Sequence, residues 1–470
     1  MGSSLVSSLD STTALTTNGA GLGTGIDVST FVADQMSALS EPVTLLQNDL
    51  TTLSTESTML AALNSGLSTL QTDVQAFTDL NGTFNAKTAT SSDTTQLNAT
   101  ASGTAASGTH TIVVTQLASN SSYYTTTSLA SGSTTFGTGT FYIKVGNNTA
   151  VPITVTSSND TLNGLANTIN NTSGLGVTAS VYTDANGAHL SLVSQNSGLA
   201  NSITINPDTN TTGLSFQQGA AGQDALLTVD GISIDSSSNT ISSVISGVTL
   251  NLTGADKDDV TLTVAPDVSS MTTAVNDFVS DYNTLINAIN NQFAYNPSTD
   301  ASAPLLQDDD GLQMVQEQLY ADANYAMTKP VDSSGNINDG IVNLQSLGIT
   351  MNDNGTLTVD SSTLTNALTS NPTAVQNFFQ GSASSGVSWG QNFNNNLYSL
   401  TDPVSGVLNV ELNGITQNQS SLNSQISDME ANLAVQQQNL VAEYSSMNTV
   451  LEELPETLSS INSQLSGLNG

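Results

Sequence analysis

From Leu408 to the C-terminus the apolar residues recur in alternating steps of four and three: Leu412, Ile415, Leu422, Ile426, Met429, Leu433, Leu440, Tyr444, Met447, Leu451, Leu454, Leu458, Ile461, Leu465 and Leu468. A period of about 3.5 held for about eight heptads predicts a coiled-coil helix, roughly 90 Å long if straight. The stripe is narrower than that of a helix lying on a globular core, so it requires a partner helix. Pro455 is expected to interrupt or kink the helix near its end. Near the other end of the chain a second seam runs through Leu46, Leu50, Leu53, Leu60, Leu63, Leu67, Leu70, Val74 and Phe77. Its register slips once near Ser57, a stammer that overwinds a coiled coil without ending it. Two seams at opposite ends of one chain predict an antiparallel stalk, with everything between them inserted as a head.

Between the seams the period changes to two. Strands are expected at 111–114, 140–145, 153–156, 178–182, 189–193, 203–205, 227–234, 248–252 and 260–264, with turns such as Ala185-Asn186-Gly187 and Asp230-Gly231. A short helix is expected near Thr161 to Asn170, and longer helix from Ser270 to Phe293. A strand pair turning at Asn354-Gly355 is expected around Gly348 to Asp360. The fold class is therefore α+β and multidomain: a terminal antiparallel coiled-coil leg carrying inserted β-rich head domains. The expected division is a flexible N-terminal segment at 1–40, a leg helix at 41–87, and a first head domain at 88–125 and 223–266. A nested head domain at 126–222 follows, then a helical leg domain with a hairpin at 267–404 and a coiled-coil helix at 405–470. The Ser/Thr/Gly-rich residues 1–20 are expected to be disordered until bound.

Charge narrows the function classes. The 470 residues include 39 acidic side chains but only four lysines and no arginine, giving a net charge of −35. Such a chain lacks the clustered cations that release counterions from nucleic acid or engage anionic lipid, so neither partner is expected. Without cysteine and with two histidines, thiolate chemistry is excluded and a multi-histidine metal site nearly so. No apolar run reaches the length of a membrane span, and the first residues show no cleaved-signal pattern.

No catalytic constellation assembles. Gly386-Val387-Ser388-Trp389-Gly390 has the spacing of a nucleophile elbow, but both His110 and His189 precede the serine, the reverse of that order. The glycine run at 19–27 has no phosphate-binding lysine and reads as a linker. Residues 350–361 suggest a calcium loop, yet Thr350 and Ser361 stand where carboxylates are needed, so a β-turn is expected. Asp308, Asp309 and Asp310 read as solvated charge and a helix cap. His110 and His189 read as strand residues. No enzyme activity, cofactor or metal is expected.

Several segments, in order, resemble the flagellar hook-associated protein 2 family, the filament cap proteins. They are GLGTGIDVSTFV at 21–32, VTQLA at 114–118, LTVDGISI at 227–234 and ISGVTLNL at 245–252. Further along come AVNDFVSDYNTLINAI at 274–289, LGITMNDNGTLTVD at 347–360 and NPTAVQNFF at 371–379. The resemblance implies a structural cap at the distal end of the bacterial filament, formed as a homo-oligomeric ring that promotes folding and insertion of exported flagellin. It implies extracellular placement after flagellar type III export without a cleaved signal peptide. The partners it implies are flagellin and the filament tip, the hook-filament junction proteins, and an export chaperone on the C-terminal helix. The seams then become assembly residues: Leu46, Leu50, Leu53, Leu60, Leu67, Leu70 and Val74 at one end, and Leu422, Ile426, Met429, Leu433, Leu440, Tyr444, Met447, Leu451, Leu458, Ile461 and Leu465 at the other. Some members also bind host surfaces through the head. A secreted β-module adhesin remains an alternative. The missing arginine departs from the family, so apolar seams and Asn/Gln/Ser hydrogen bonds must set the leg's register. The acidity itself suits an acidic or a saline medium.

Overall fold

The computed structural model describes residues 28–294, 304–327, 340–381 and 387–468. The expected disorder of residues 1–20 and the glycine run at 19–27 lie outside them. The chain divides into two compact units, each of which is interrupted by the other in sequence.

Helix α1 (Val28–Thr78) opens the first unit. It carries few β-branched apolar residues, and its threonine hydroxyls donate to the carbonyls one turn back, as from Thr51 to Gln47 and Thr72 to Ser68. The expected bounds of 41–87 need correction at both ends. Pro42 lies inside the helix, because proline removes one backbone bond and its exposed position lets water satisfy the freed carbonyl. Residues 28–40, expected to be flexible, are helical, and Val32 and Val43 on either side of the proline are both buried. The helix stops at Thr78, where Asp79 turns the chain by accepting from the amides of Asn81 and Gly82.

The second unit takes Asp79–Val275 and Ser362–Asn377. Its first core lies between two antiparallel sheets. The larger contains β1 (Lys87–Ser91), β3 (Gly108–Gln116), β11 (Ala225–Val229), β12 (Ile232–Ser236) and β15 (Asp259–Pro266), in the order β1-β15-β3-β11-β12. The smaller has the order β13-β14-β2, from β2 (Leu97–Ala101), β13 (Thr240–Ile245) and β14 (Val248–Leu252). Leu97, Ile112, Val114, Leu250, Val260 and Leu262 fill the space between them. The single strand expected at 227–234 is the hairpin β11–β12, because Asp230 (φ 51°) and Gly231 (φ 81°) both adopt the left-handed conformation of a tight hairpin turn.

A second core is nested between β3 and β11. The sheet β10-β4-β8-β7 joins β4 (Ser122–Thr125), β7 (Val177–Asp184), β8 (Gly187–Ser194) and β10 (Phe216–Ala220). The sheet β6-β5-β9 joins β5 (Gly139–Val145), β6 (Val151–Val155) and β9 (Ile203–Ile205). Helix α2 (Leu162–Asn170), capped by the Thr161 hydroxyl, contributes Leu162, Leu165 and Ile169 to their core. The nested part begins earlier than the expected residue 126, since β4 pairs with β8 and β10. Its entry and exit meet where Ser119 and Gln223 exchange two backbone hydrogen bonds.

Helix α3 (Val268–Phe293) leads back into the first unit, which resumes at Asn276. Helix α4 (Asp310–Ala323) is capped by Asp309, whose carboxylate accepts from the Leu312 amide, as the aspartate run predicted. The hairpin β16 (Ile349–Met351) and β17 (Leu357–Val359) turns at Gly355 (φ 82°), so residues 350–361 form a hairpin. Helices α5 (Ser361–Ser370) and α6 (Pro372–Gln380) belong mostly to the second unit, where Gln376 donates to Asn85. Helix α7 (Trp389–Thr401) starts at Ser388, which forms a capping box with Gln391. Helix α8 (Val407–Leu468) completes the chain, and Pro455 does not end it. No described helix is long and apolar enough to cross a membrane.

Candidate assembly surface

The two terminal helices pack antiparallel, and the cross-links between them give the register. Phe31 meets Tyr444 with ring centroids 5.0 Å apart, and the Tyr444 hydroxyl donates to Gln35 at 2.9 Å. Further along, Gln47 faces Glu430 and Asn64 donates to Asn409 at 3.0 Å. Pairing of the seams is therefore observed, and polar register rests on neutral amides and hydroxyls with one carboxylate. Among the described residues the only ion pairs are His110–Asp230 and His189–Asp184, both outside the first unit.

Burial divides the seam residues into three groups. Leu60, Leu63, Leu67, Leu70, Val74 and Phe77 are fully enclosed. They contribute to a globular helical core rather than to a two-helix stalk. Phe77 lies 5.6 Å from Phe278 and 4.9 Å from Phe379, and Trp389 stacks on Phe378 at 5.5 Å. Leu46, Leu50, Leu53, Leu422, Met429, Leu433, Leu440 and Tyr444 are half-buried, as expected where only two helices cover one another, and Ile426 is buried. Met447, Leu451, Leu458, Ile461 and Leu465 are exposed, with Leu458 at 52% and Leu465 at 53%. The expected pairing of these last heptads does not occur within the described chain. Among the described residues nothing covers this apolar stripe of α8.

Asn409 fixes the direction in which α8 leaves the core. Its amide donates to the carbonyls of Thr401 and Asp402 at the end of α7 while its oxygen accepts from Asn64. The corner between α7 and α8 requires Gly406, where a Cβ would lie 2.4 Å from the Leu400 carbonyl oxygen. Asp402 accepts from the Ser405 amide and hydroxyl and the Val404 amide, which hold its carboxyl below the usual range. Asn409→Ala is expected to lower unfolding free energy by roughly 1–3 kcal/mol. Thr416→Ala, on the exposed face, is expected to stay within about 0.5 kcal/mol. Urea unfolding of both variants checks this, and equal costs would contradict the role given to Asn409.

The rejected catalytic motifs have structural roles. Ser388 is a buried helix cap that donates to the Phe379 carbonyl, and Trp389 lies in the aromatic core. His110 meets Asp230 at 2.7 Å on β3, and His189 meets the Thr125 carbonyl at 2.7 Å on β8. Asp230 also accepts from the Thr111 amide, so these bonds hold its carboxyl below the usual range. Among the described residues no group of three or more metal-ligating side chains converges.

Comparison with known proteins fits this architecture. The profile of the flagellar hook-associated protein 2 C-terminus matches residues 222–456, and that of its N-terminus matches residues 24–121. The chain belongs to the flagellar hook-associated protein 2 family. A flagellin hook IN motif also matches residues 140–196, within the nested head. The B-type flagellar hook-associated protein 2 of Pseudomonas aeruginosa is 28% identical over 77% of this chain and 79% of its own. The Escherichia coli flagellar hook-associated protein 2 is 28% identical over 76% of this chain and 78% of its own. The crystal structure of the D1-D2-D3 domains of the E. coli flagellar cap protein FliD aligns with a TM-score of 0.59 at 29% identity. It covers 76% of this chain and 99% of that one.

Proposed function

We propose that this chain caps the distal end of a bacterial flagellar filament, as a ring of copies that promotes folding and insertion of exported flagellin and prevents its loss. The observation that carries this reading is the alignment of the chain with nearly the whole D1-D2-D3 structure of a flagellar cap protein. The exposed stripe from Leu451 to Leu465 supports it, since a continuous apolar helix face suits contact with another protein. In this reading flagellin at the filament tip is the partner of the stripe. Hook-filament junction proteins receive the cap, and an export chaperone covers the same helix before flagellar type III export. The seam residues Leu46 to Val74 hold the leg, and Leu451, Leu458, Ile461 and Leu465 contact the partners.

An adhesin reading is less well supported, because paired terminal helices add nothing to a head that binds a ligand by itself. Deleting residues 449–470 separates the two. A cap loses filament elongation and the deletion strain releases unpolymerised flagellin, whereas an adhesin head keeps its binding. Negative-stain microscopy of the purified full chain is expected to show rings. Normal filaments in the strain lacking residues 449–470 would refute the capping role.

A further inference from the structure

The first unit encloses acidic side chains and holds almost nothing to balance them. It contains no arginine or histidine, and its one lysine, Lys329, lies outside the described residues. Three carboxyl sites nevertheless sit at junctions between its helices. At the first, Asp73 of α1 faces Asp277 and Asp281 of α3. Its Oδ2 is buried without a hydrogen-bond partner, and the carboxyls of Asp281 and Asp277 are the charges that act on it.

At the second junction, Glu411 of α8 meets Asp309 at the start of α4 and Glu56 of α1. A Cβ placed on Gly311 would lie 3.2 Å from both Glu411 Oε2 and Asp309 Oδ1, so both carboxyls border the same glycine. Asp309 is already committed as a cap, accepting from the Leu312 amide at 2.7 Å. At the third, Asp322 of α4 is 1% exposed. Its Oδ1 accepts from Gln318 at 3.0 Å, Asn392 at 3.3 Å and Asn396 at 2.6 Å, while its Oδ2 is buried without a partner. The other titratable groups near it are the phenols of Tyr282 and Tyr320. No described cation faces any of the three sites.

We propose that these junctions are proton-operated clamps: with the carboxyls protonated the helices of the leg close on one another, and with the protons lost, like charges at the first two and a buried charge without a cation at the third force the junctions apart. The leg is thereby built for a mildly acidic medium. Burial first, then Asp281 and Asp277, raises Asp73 to about 6. Burial, opposed by the three amides, raises Asp322 to about 6. Burial first, then Asp309 and Glu56, raises Glu411 to about 7. Each site binds its proton more tightly when folded than when unfolded. The stabilisation is therefore full below an unfolded value of about 4 and is lost as pH rises through 6 to 7. Folding therefore takes up protons at these sites, and the folding constant falls as pH rises from about 4 to 7. High salt screens exposed charges but supplies no proton, so the acidic medium is favoured over the saline one.

Trp389, the single tryptophan, lies in this unit and reports its unfolding. Urea titrations of the full chain at pH 4.5, 6.0 and 7.5 are expected to show a midpoint that falls as pH rises. Asp73→Asn and Glu411→Gln are each expected to raise the midpoint at pH 7.5, to leave it unchanged at pH 4.5, and together to flatten the profile. Asp49→Asn with Glu443→Gln, both on exposed faces of the stalk, is expected to leave the slope intact. A carboxyl-carbon NMR titration of the unaltered chain reads the three sites without any substitution. A midpoint indifferent to pH, a control pair that flattens the profile equally, or full recovery at pH 7.5 in 1 M sodium chloride would overturn the proposal.

Discussion

Changing Leu458, Ile461 and Leu465 together to serine is expected to leave the folded chain intact and to abolish filament elongation. The three side chains are 52%, 47% and 53% exposed, so removing them takes little from the chain's own core. On docking against a partner, covering the exposed half of each contributes about 1 kcal/mol, or about 3 kcal/mol in all. Losing that weakens docking by somewhat more than a hundredfold. Two readouts are needed: urea unfolding followed at Trp389, expected to match the unaltered chain, and filament length in a complemented deletion strain, expected to match the empty vector. Full-length filaments from the triple variant would remove the stripe from the assembly surface. A lowered unfolding midpoint would show that the stripe serves the fold itself.

A second large effect is expected in the aromatic core. Phe278 is fully buried and lies within 6.0 Å, ring to ring, of Phe77, Tyr282, Trp389 and Phe393. Phe278→Ala removes one ring from that cluster and leaves a cavity that rigid neighbours cannot collapse to fill, a loss of about 3–5 kcal/mol. Leu50→Ala, in the two-helix stretch where Leu50 is only half-buried, is expected to cost about 1–2 kcal/mol. Far-ultraviolet circular dichroism during urea unfolding measures both without relying on the altered tryptophan site. Equal losses would contradict the division of the seam into a globular part and a stalk part.

The seams were legible because leucines at steps of three and four leave few alternatives to helix, and the strands at 140–145 and 248–252 because large apolar residues alternate there. What the sequence hid has specific causes. Helix α1 before Pro42 was obscured because a proline inside a helix and one at its boundary look alike. Strands β1 (Lys-Thr-Ala-Thr-Ser) and β2 (Leu-Asn-Ala-Thr-Ala) escaped because Leu97 is their only large apolar residue and one such residue carries no period of two. The difference between Leu67, enclosed by several helices, and Leu465, bare, was invisible. A heptad records that a helix needs cover, not what supplies it. The meeting of Asp73 with Asp281 likewise depends on tertiary packing across about 200 residues of intervening chain, which no local spacing encodes.

The exchange of backbone hydrogen bonds between Ser119 and Gln223 joins two points of the chain separated by a hundred residues of independent architecture. Because that architecture has its own core and both its ends arrive at one spot, it behaves as an interchangeable cassette. Lengthening, shortening or replacing it adds only a slowly growing closure entropy at the joint and leaves the sheets that carry it undisturbed. The surface of this nested part can therefore vary freely while the helices at the chain's two ends stay under tight constraint.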